Sequence, residues 1–366
     1  MKIGLIVNPI AGMGGRVGLK GTDGEAYKIA LKMGAKPVTP ERTISFLKYL
    51  KSKDKIYIIT APKKMGEDYI KIFNIRYEVI GSIGERTTAD DTRRIAKEMI
   101  KKGIDLLIFV GGDGTARDIF DSIDMKVPVL GIPSGVKMFS SVFAVSPKAA
   151  AEIIDELLND NVTFVEREVL DIDEEAYRRD VLKIKLYGFL KIPVIADLVQ
   201  AGKEPSRSDT DVEENKKAIA KYVIELMEPD TLYLIGPGTT TKAITDELGL
   251  EKTLLGVDAL YNKTIIGKDL NEKAILDLLN KYPKAKAIIS PIGGQGFIFG
   301  RGNQQFSPEV LKKLGKENII VVSTRDKLRN IKSLRVDTGD EDVDKMLRGY
   351  IRVIVDYQEE RVMKVK

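Results

Sequence analysis

The first half of the chain alternates between two patterns of apolar and polar positions. Short, almost wholly apolar runs at KIGLIVN (2–8), KIYIITA (55–61), DLLIFV (105–110) and VPVLGIP (127–133) predict buried strands, and RYEVIGSI (76–83) predicts a strand by alternation. Between them, ERTISFLKYLKS (41–52), residues 63–73 and TADDTRRIAKEMIKKG (88–103) carry apolar residues at helical spacing. The last is the best signalled, with Thr88 as N-cap, acids in the first turn, lysines in the last and glycine beyond. Apolar strands alternating with helices predict a parallel sheet covered on both faces, whose ligands bind beyond the carboxyl ends of the strands.

The pattern continues less regularly. PKAAAEIIDELL (147–158) predicts a helix leading out of the first domain, and residues 164–190 predict strands with charged faces. AGKEPSRSDTDVEEN (201–215) is polar, with Gly, Pro and Ser, and reads as a mobile loop or lid. A second alternating series starts at 231: TLYLIGPG, a helix at 239–248, KTLLGVDAL, a helix at 271–281, KAIISPIGG, a helix at 307–314 and NIIVVST. The tail, GYIRVIVDYQEERVMKV (349–365), reads as two strands. The expected organisation is an α/β protein of two domains. A parallel-sheet domain occupies 1–146 and a second α/β domain 147–338. The segment 339–366 returns to pack on the first.

Composition narrows the chemistry. The 366 residues are 43% hydrophobic, enough for one large core or two. Histidine, cysteine and tryptophan are absent, which excludes thiolate nucleophiles, disulfides, Cys/His zinc sites and a Ser-His-Asp triad. Any general base is Asp, Glu, Lys or Tyr, and any metal is a hard cation on oxygen, Mg²⁺ first. The net charge of +5, with acids and bases interspersed, suits small anionic substrates rather than nucleic acid. The locally basic KYLKSKDK (48–55) reads as a solvated helix end. No apolar run reaches the roughly 18 residues that span a bilayer, and the N-terminal run is too short for a signal peptide. A soluble, cytoplasmic protein without a membrane partner is expected, as a homo-oligomer (dimer or tetramer). Abundant Lys, Glu and Ile hint at a thermophile.

Four glycine-rich turns follow apolar strands: NPIAGMGGRVGLKGTDG (8–24), GGDGT (111–115), GPGTTTK (236–242) and PIGGQG (291–296). Singly, such turns are common turn chemistry. Together they suggest anion cradles, because glycine lets backbone N–H groups approach phosphate and the following helix N-terminus adds partial positive charge. None matches GxxxxGK[ST] or GxGxxG. GGDGT is the most specific, since a carboxylate inside a phosphate cradle makes sense as a Mg²⁺ ligand or as a base toward a hydroxyl that attacks phosphorus.

GGDGT after a strand, with NPxxGxGG after the first strand, resembles the superfamily that joins NAD kinases to diacylglycerol and sphingosine kinases. With GLKGTDG (18–24), GIPSGVKMFSSVFAVSP (131–147), GPGTTTK and GRGNQQFSP (300–308), the chain is most similar to the ATP–NAD kinase-like family, over most of its length. The resemblance implies a Rossmann-like first domain and transfer of a phosphoryl group from ATP or polyphosphate, with Mg²⁺ or another hard divalent cation, to a hydroxyl of a small acceptor. NAD is the expected acceptor and NADP the product. It implies Asp113 as catalytic carboxylate and candidate metal ligand. Gly111, Gly112, Gly114 and Thr115 would shape the loop around the donor phosphates. Asn8, Gly12, Gly14 and Gly15 would line the neighbouring turn, and Ser134 and Gly135 would lie on the nucleotide side. The chain departs from the family in two ways. Ser134 to Lys137 stand where NAD kinases carry an Asn-Glu pair for ribose hydroxyls, and the second half reads as α/β where those kinases commonly have a β-sandwich.

Candidate acceptor residues are Asp23, Gly238, Thr239, Thr240, Asp258, Gly294, Arg301 and Asn303, with a turn aspartate as the competing reading for Asp23 and a structural salt bridge for Asp258 and for Arg301 with Asn303. Arg325 and Asp326 read as helix-capping residues, and Met138 and Phe139 as core. The alternatives are a kinase of the same core acting on a lipid or another metabolite, and a nucleotide-binding regulator without turnover. The retained carboxylate of GGDGT speaks against the regulator.

Overall fold

The computed structural model describes residues 1–14, 17, 25–123, 125–134, 138–172, 184–195, 199, 209–292, 296–329 and 331–366. The chain forms two compact units, one of Met1–Met13 and Gly21–Gly202, the other of Gly14–Lys20 and Lys203–Lys366.

In the first unit, strands β1 (Lys2–Val7), β2 (Tyr57–Thr60), β3 (Arg76–Val79), β4 (Leu106–Gly111) and β5 (Val129–Pro133) form one parallel sheet in the order β3-β2-β1-β4-β5. Ile6, Ile59, Leu107, Phe109 and Val129 turn one way, into a core with Ile95, Ala96 and Met99 of helix Ala89–Lys101 and Ala116, Ile119 and Ile123 of helix Asp113–Ile123. Their strand neighbours Leu5, Ile58, Ile108 and Leu130 are as fully buried, so the sheet is covered on both faces. Helix Ala89–Lys101 starts where the pattern places it: Thr88 accepts the Asp91 N–H, and Asp91 accepts the Thr88 N–H in return.

The first unit extends beyond residue 146. Helix Pro147–Leu157 packs on helix Thr39–Tyr49. Strands β6 (Thr163–Ile172) and β7 (Ile184–Val194) pair antiparallel as a separate ribbon. Val169, Leu190 and Ile192 of that ribbon enter the same core as Phe109. The solvent side of the ribbon carries Glu166, Lys185 and Lys191 together with the exposed Phe164, Tyr187 and Phe189, while Val169, Leu190 and Ile192 bury with the first sheet rather than a second one. Helix Glu25–Lys32, just after the stretch read as a glycine-rich turn, is an addition to the expected elements.

The second unit is also α/β. Strands β8 (Leu232–Ile235), β9 (Asp258–Tyr261), β10 (Thr264–Gly267), β11 (Ala285–Ile289), β12 (Phe297–Phe299), β13 (Ile319–Val322), β14 (Arg335–Val336), β15 (Gly349–Asp356) and β16 (Glu359–Val365) belong to it. A seven-stranded sheet runs β10-β9-β8-β11-β13-β15-β16, with β8, β11, β13 and β15 parallel, while β12 and β14 form a separate pair. Asn262 and Lys263, at φ 47° and 58°, make the tight turn between β9 and β10.

Two expectations are corrected here. The tail does form two strands, but they join this sheet and not the first: Val321 and Val322 pair with Val353 and Ile354, and Val353, Val355 and Val365 fill the second core. Residues 209–215, expected in a loop or lid, open the helix Asp209–Glu225, held by Ile219, Ala220 and Val223 buried on one face. The remainder of that expected loop, 201–208, lies outside the described residues.

Candidate active site

The order β3-β2-β1-β4-β5 places a topological switch between β1 and β4. The chain leaves β1 toward β2 and returns on the other side, so the turns after these two strands diverge and leave a crevice at their carboxyl ends. Both turns are the glycine-rich ones. Asn8 follows β1, its N–H bonded to the Val110 carbonyl at 2.9 Å, and its Nδ2 donates to Thr115 Oγ1 at 3.0 Å. Ser134, following β5, donates its N–H to the Gly111 carbonyl at 3.0 Å.

Two glycines are required by this closeness. A Cβ on Gly111 would stand 2.4 Å from Thr115 Oγ1. Gly12 has φ +78°, and a Cβ there would meet the Ser134 carbonyl oxygen at 2.2 Å. Asn8, Gly12, Gly111, Thr115 and Ser134 thus form one set of contacts, with Asp113 as the first residue of the helix that follows β4. Gly112 and Gly114 flank it and are partly exposed. Ser134 is fully buried, and its Oγ has no hydrogen-bond partner among the described residues. Gly14 belongs to the second compact unit. Gly15, Asp23, Gly135 and Gly294 lie outside the described residues.

Asp113 is held from the loop after β5. Oδ2 accepts the Phe139 N–H at 2.8 Å and Oδ1 the Ser140 N–H at 2.9 Å. Burial pushes its pKa above the ordinary carboxylate value, against the lowering effect of these bonds and of the Arg117 charge. The sequence reading missed Ser140, Phe139 and Arg117. Arg117 alone left a signal, one helical turn beyond Asp113. Met138 is buried core, as read, whereas Phe139 also contributes its backbone to the site.

Among the described residues, no group of three or more His, Cys, Asp or Glu side chains gathers to hold a metal. A lone carboxylate beside glycine-rich turns suits a divalent cation whose other ligands come from a bound phosphate group and water, as Mg²⁺ is commonly bound.

The second-unit candidates are differently placed. Gly238, at φ +121°, precedes helix Thr239–Glu247, in which Thr240 is buried and Thr239 exposed. Asp258 pairs in register with Ile235, beside that turn, but its oxygens accept Thr253 N–H at 2.8 Å, Thr253 Oγ1 at 2.6 Å and Asp269 N–H at 2.9 Å. Arg301 is 1% exposed, its guanidinium 4.4 Å from the Phe297 ring centre and 3.5 Å from Asp337. Asn303 Nδ2 donates to the Ile298 carbonyl at 2.7 Å. These three are engaged within their own unit. Arg325 likewise pairs with Asp356, at 3.0 Å, and with Glu359.

No helix among the described residues is long and apolar enough to cross a membrane. An NAD kinase of Hydrogenovibrio crunogenus is 36% identical over 80 residues, 22% of this chain and 27% of that protein. An NAD kinase of Methanosarcina acetivorans is 31% identical over 109 residues, 30% of this chain and 38% of that protein. The matched part therefore spans well under half the length of either relative. A solved diacylglycerol kinase from Bacillus anthracis str. Sterne is 16% identical over 47% of this chain and 46% of that one, with a TM-score of 0.24, too slight an overlap to bear on the fold. Residues 3–162 match the ATP-NAD kinase N-terminal domain and residues 229–365 the ATP-NAD kinase C-terminal domain. With both domain types present in order, and the glycine-flanked Asp113 inside the first, the chain belongs to the ATP-NAD kinase family.

Proposed function

We propose that this protein is an NAD kinase, which transfers the γ-phosphoryl group of ATP to the 2′-hydroxyl of the adenosine ribose of NAD. The observation that carries the reading is Asp113, a carboxylate fixed at the opening of a helix in the crevice between the turns after β1 and β4. Backbone N–H groups of Gly111, Gly112 and Gly114, the helix N-terminus and the buried Ser134 hydroxyl suit the oxygens of the donor phosphates. Arg117 adds positive charge beside them.

Asp113 takes the proton of the acceptor hydroxyl as that oxygen bonds to the γ-phosphorus. The bond from the γ-phosphorus to the β–γ bridging oxygen breaks, and ADP leaves with the electron pair. Burial raises the pKa of Asp113 and makes it a better proton acceptor than an exposed carboxylate. A divalent cation carried on the phosphates would neutralise their charge, with Asp113 as the carboxylate this chain offers it. The substrates are small, soluble molecules of the cytoplasm.

The test is direct. Purified protein with ATP, Mg²⁺ and NAD should form NADP, detected with an NADP-specific dehydrogenase, and EDTA should stop it. Asp113→Asn should lower turnover by roughly 10²–10⁴-fold, because an amide cannot take the proton. Replacing ATP by polyphosphate separates the two donors. Phosphorylation of a lipid or another metabolite with no NADP formed would move the protein to another kinase of the same core.

A further inference from the structure

Among the described residues two buried hydroxyls have no hydrogen-bond partner, Ser134 Oγ and Thr39 Oγ1. Thr39 is the first residue of the helix Thr39–Tyr49 and is fully buried. A polar group taken from water without a return bond is a cost to the fold. Thr43, one turn on, shows what a structural hydroxyl does in this helix: its Oγ1 donates to the Thr39 carbonyl at 2.7 Å. Thr39 Oγ1 has no such use. The helix opening around it is bare as well. Val38 precedes it, and no side chain caps the first turn, whose N–H groups and partial positive charge are thus offered to another acceptor.

An arginine stands beside that opening. Thr39, Arg42, Thr43, Phe46 and Leu47 form the buried stripe of the helix, so Arg42 turns inward with Phe46 while Glu41 and Lys48 stay exposed. Arg42 is 6% exposed, a rare position for a charged side chain. Long side chains on a helix lean toward its N-terminus, which carries the guanidinium back over the turn that Thr39 opens. Arg42 is also engaged within the protein, and its five N–H donors serve more than one partner. The helix packs along β4 and β5, and the chain passes from its end into the start of β2. Its last turn therefore lies toward the amino edge of the first sheet and its opening toward the carboxyl edge, where ligands of such sheets bind.

We propose that the opening of helix Thr39–Tyr49 is a binding site for a phosphate group, which accepts from the Thr39 hydroxyl, the first-turn N–H groups and the Arg42 guanidinium. A helix N-terminus and a planar guanidinium both match phosphate oxygens. The phosphate comes from one of two sources, the phosphoryl donor or a free phosphate ion. The site is read by binding alone, in the absence of NAD, and so stands independently of the reaction assigned above.

The experiment is isothermal titration of the full-length protein with inorganic phosphate and with ATP, in a phosphate-free buffer, for wild type, Thr39→Val and Arg42→Met. Thr39→Val keeps the shape and removes the hydroxyl. Its melting temperature without ligand should equal or exceed that of the wild type, and its affinity for at least one of the two ligands should fall about 10- to 100-fold, the worth of a hydrogen bond to a charged group. Arg42→Met should lose at least as much. If it fails to fold, Thr39→Val decides alone. Phosphate that competes with ATP on the wild type identifies the donor as the source, and phosphate that binds equally well under saturating ATP identifies a separate ion. Wild-type affinity for both ligands in Thr39→Val overturns the inference. So does a lower melting temperature in that variant without ligand, which would give the hydroxyl a structural partner, and so does a wild type that binds neither ligand. Failure of the wild type to form NADP bears on the assigned reaction alone.

Discussion

Removing the Ser134 hydroxyl should move stability and ligand affinity in opposite directions. Ser134 is fully buried, its Oγ has no partner among the described residues, and its backbone is fixed by the bond to Gly111. A buried hydroxyl without a hydrogen bond costs about 1–3 kcal/mol relative to water. Alanine removes that cost without altering the backbone. The oxygen-sized void offsets a few tenths of a kcal/mol at about 24 cal/mol per Å³. The ligand-free Ser134→Ala protein should therefore gain about 1 kcal/mol, or about 2–4 °C for a unit of roughly 150–250 residues. If the hydroxyl donates to a donor phosphate, its loss forfeits about 1.5–3 kcal/mol of binding, roughly 10- to 100-fold in ATP affinity. Thermal unfolding without ligand and across an ATP titration measures both quantities on one sample. A lower melting temperature in the ligand-free variant would show that the hydroxyl has a structural partner, and an unchanged ATP affinity would remove it from the phosphate cradle. Either result refutes the reasoning.

Three further outcomes are expected. Gly12→Ala puts a side chain at φ +78° and 2.2 Å from the Ser134 carbonyl, so it should lose more than about 2 kcal/mol in urea unfolding and lower NADP formation with it; a neutral result would contradict the close approach of the two turns. Burial raises the pKa of Asp113, so the acid limb of the rate profile should lie above the ordinary value of about 3.9, and Arg117→Gln, which removes a lowering charge, should move it higher still; a limb at the ordinary value counts against Asp113 as the base. Because the folded value exceeds the unfolded one, the contribution of Asp113 to stability is present below the unfolded pKa and is lost as pH rises through the folded pKa, so the stability of wild type relative to Asp113→Asn should fall across that window in urea titrations, from a starting difference set by the amide NH2 that Asn turns toward the Phe139 or Ser140 N–H. Asp258→Ala frees three donors and should destabilise the protein by about 3 kcal/mol with the KM for NAD unchanged in the folded fraction; a raised KM without loss of stability would restore Asp258 to the acceptor site.

How much was legible in the sequence depended on the range of the interaction that decides each feature. GGDGT could be read because strand, turn and helix opening are contiguous, and Thr88 because its capping partner Asp91 is three residues away. The helix Asp209–Glu225 was missed because its buried residues Ile219, Ala220 and Val223 fall in its second half, behind a polar start that resembles a loop. The tail was read correctly as two strands but given the wrong sheet. Alternation shows which residues face inward and carries no information on which strand lies alongside. Arg301 shows the same limit: an arginine beside glycine looks like a phosphate ligand until Phe297 and Asp337 are found around it. Ser140 had no local signal, because the Asp113 carboxylate that its backbone N–H bonds lies 27 positions away and is met only once the loop after β5 folds back.

That β1 pairs directly with β4 also bears on how the protein comes to be active. Asn8 and Thr115, whose side chains bond to each other, are 107 residues apart, and the Lys2 N–H reaches the Asp105 carboxylate across 103. The central pairing of the first sheet thus closes a long loop, and its entropic cost falls before the reward of the contacts it permits. Helices such as Ala89–Lys101 can form early from local signals, but the crevice beside Asp113 cannot exist until the first strand of the chain meets the fourth. A ribosome-bound chain that has not yet released residue 111 has the first glycine turn and nothing to place opposite it. Catalytic competence in this architecture is a late property of folding, so regain of activity on refolding should report the docking of β1 against β4 rather than the appearance of secondary structure.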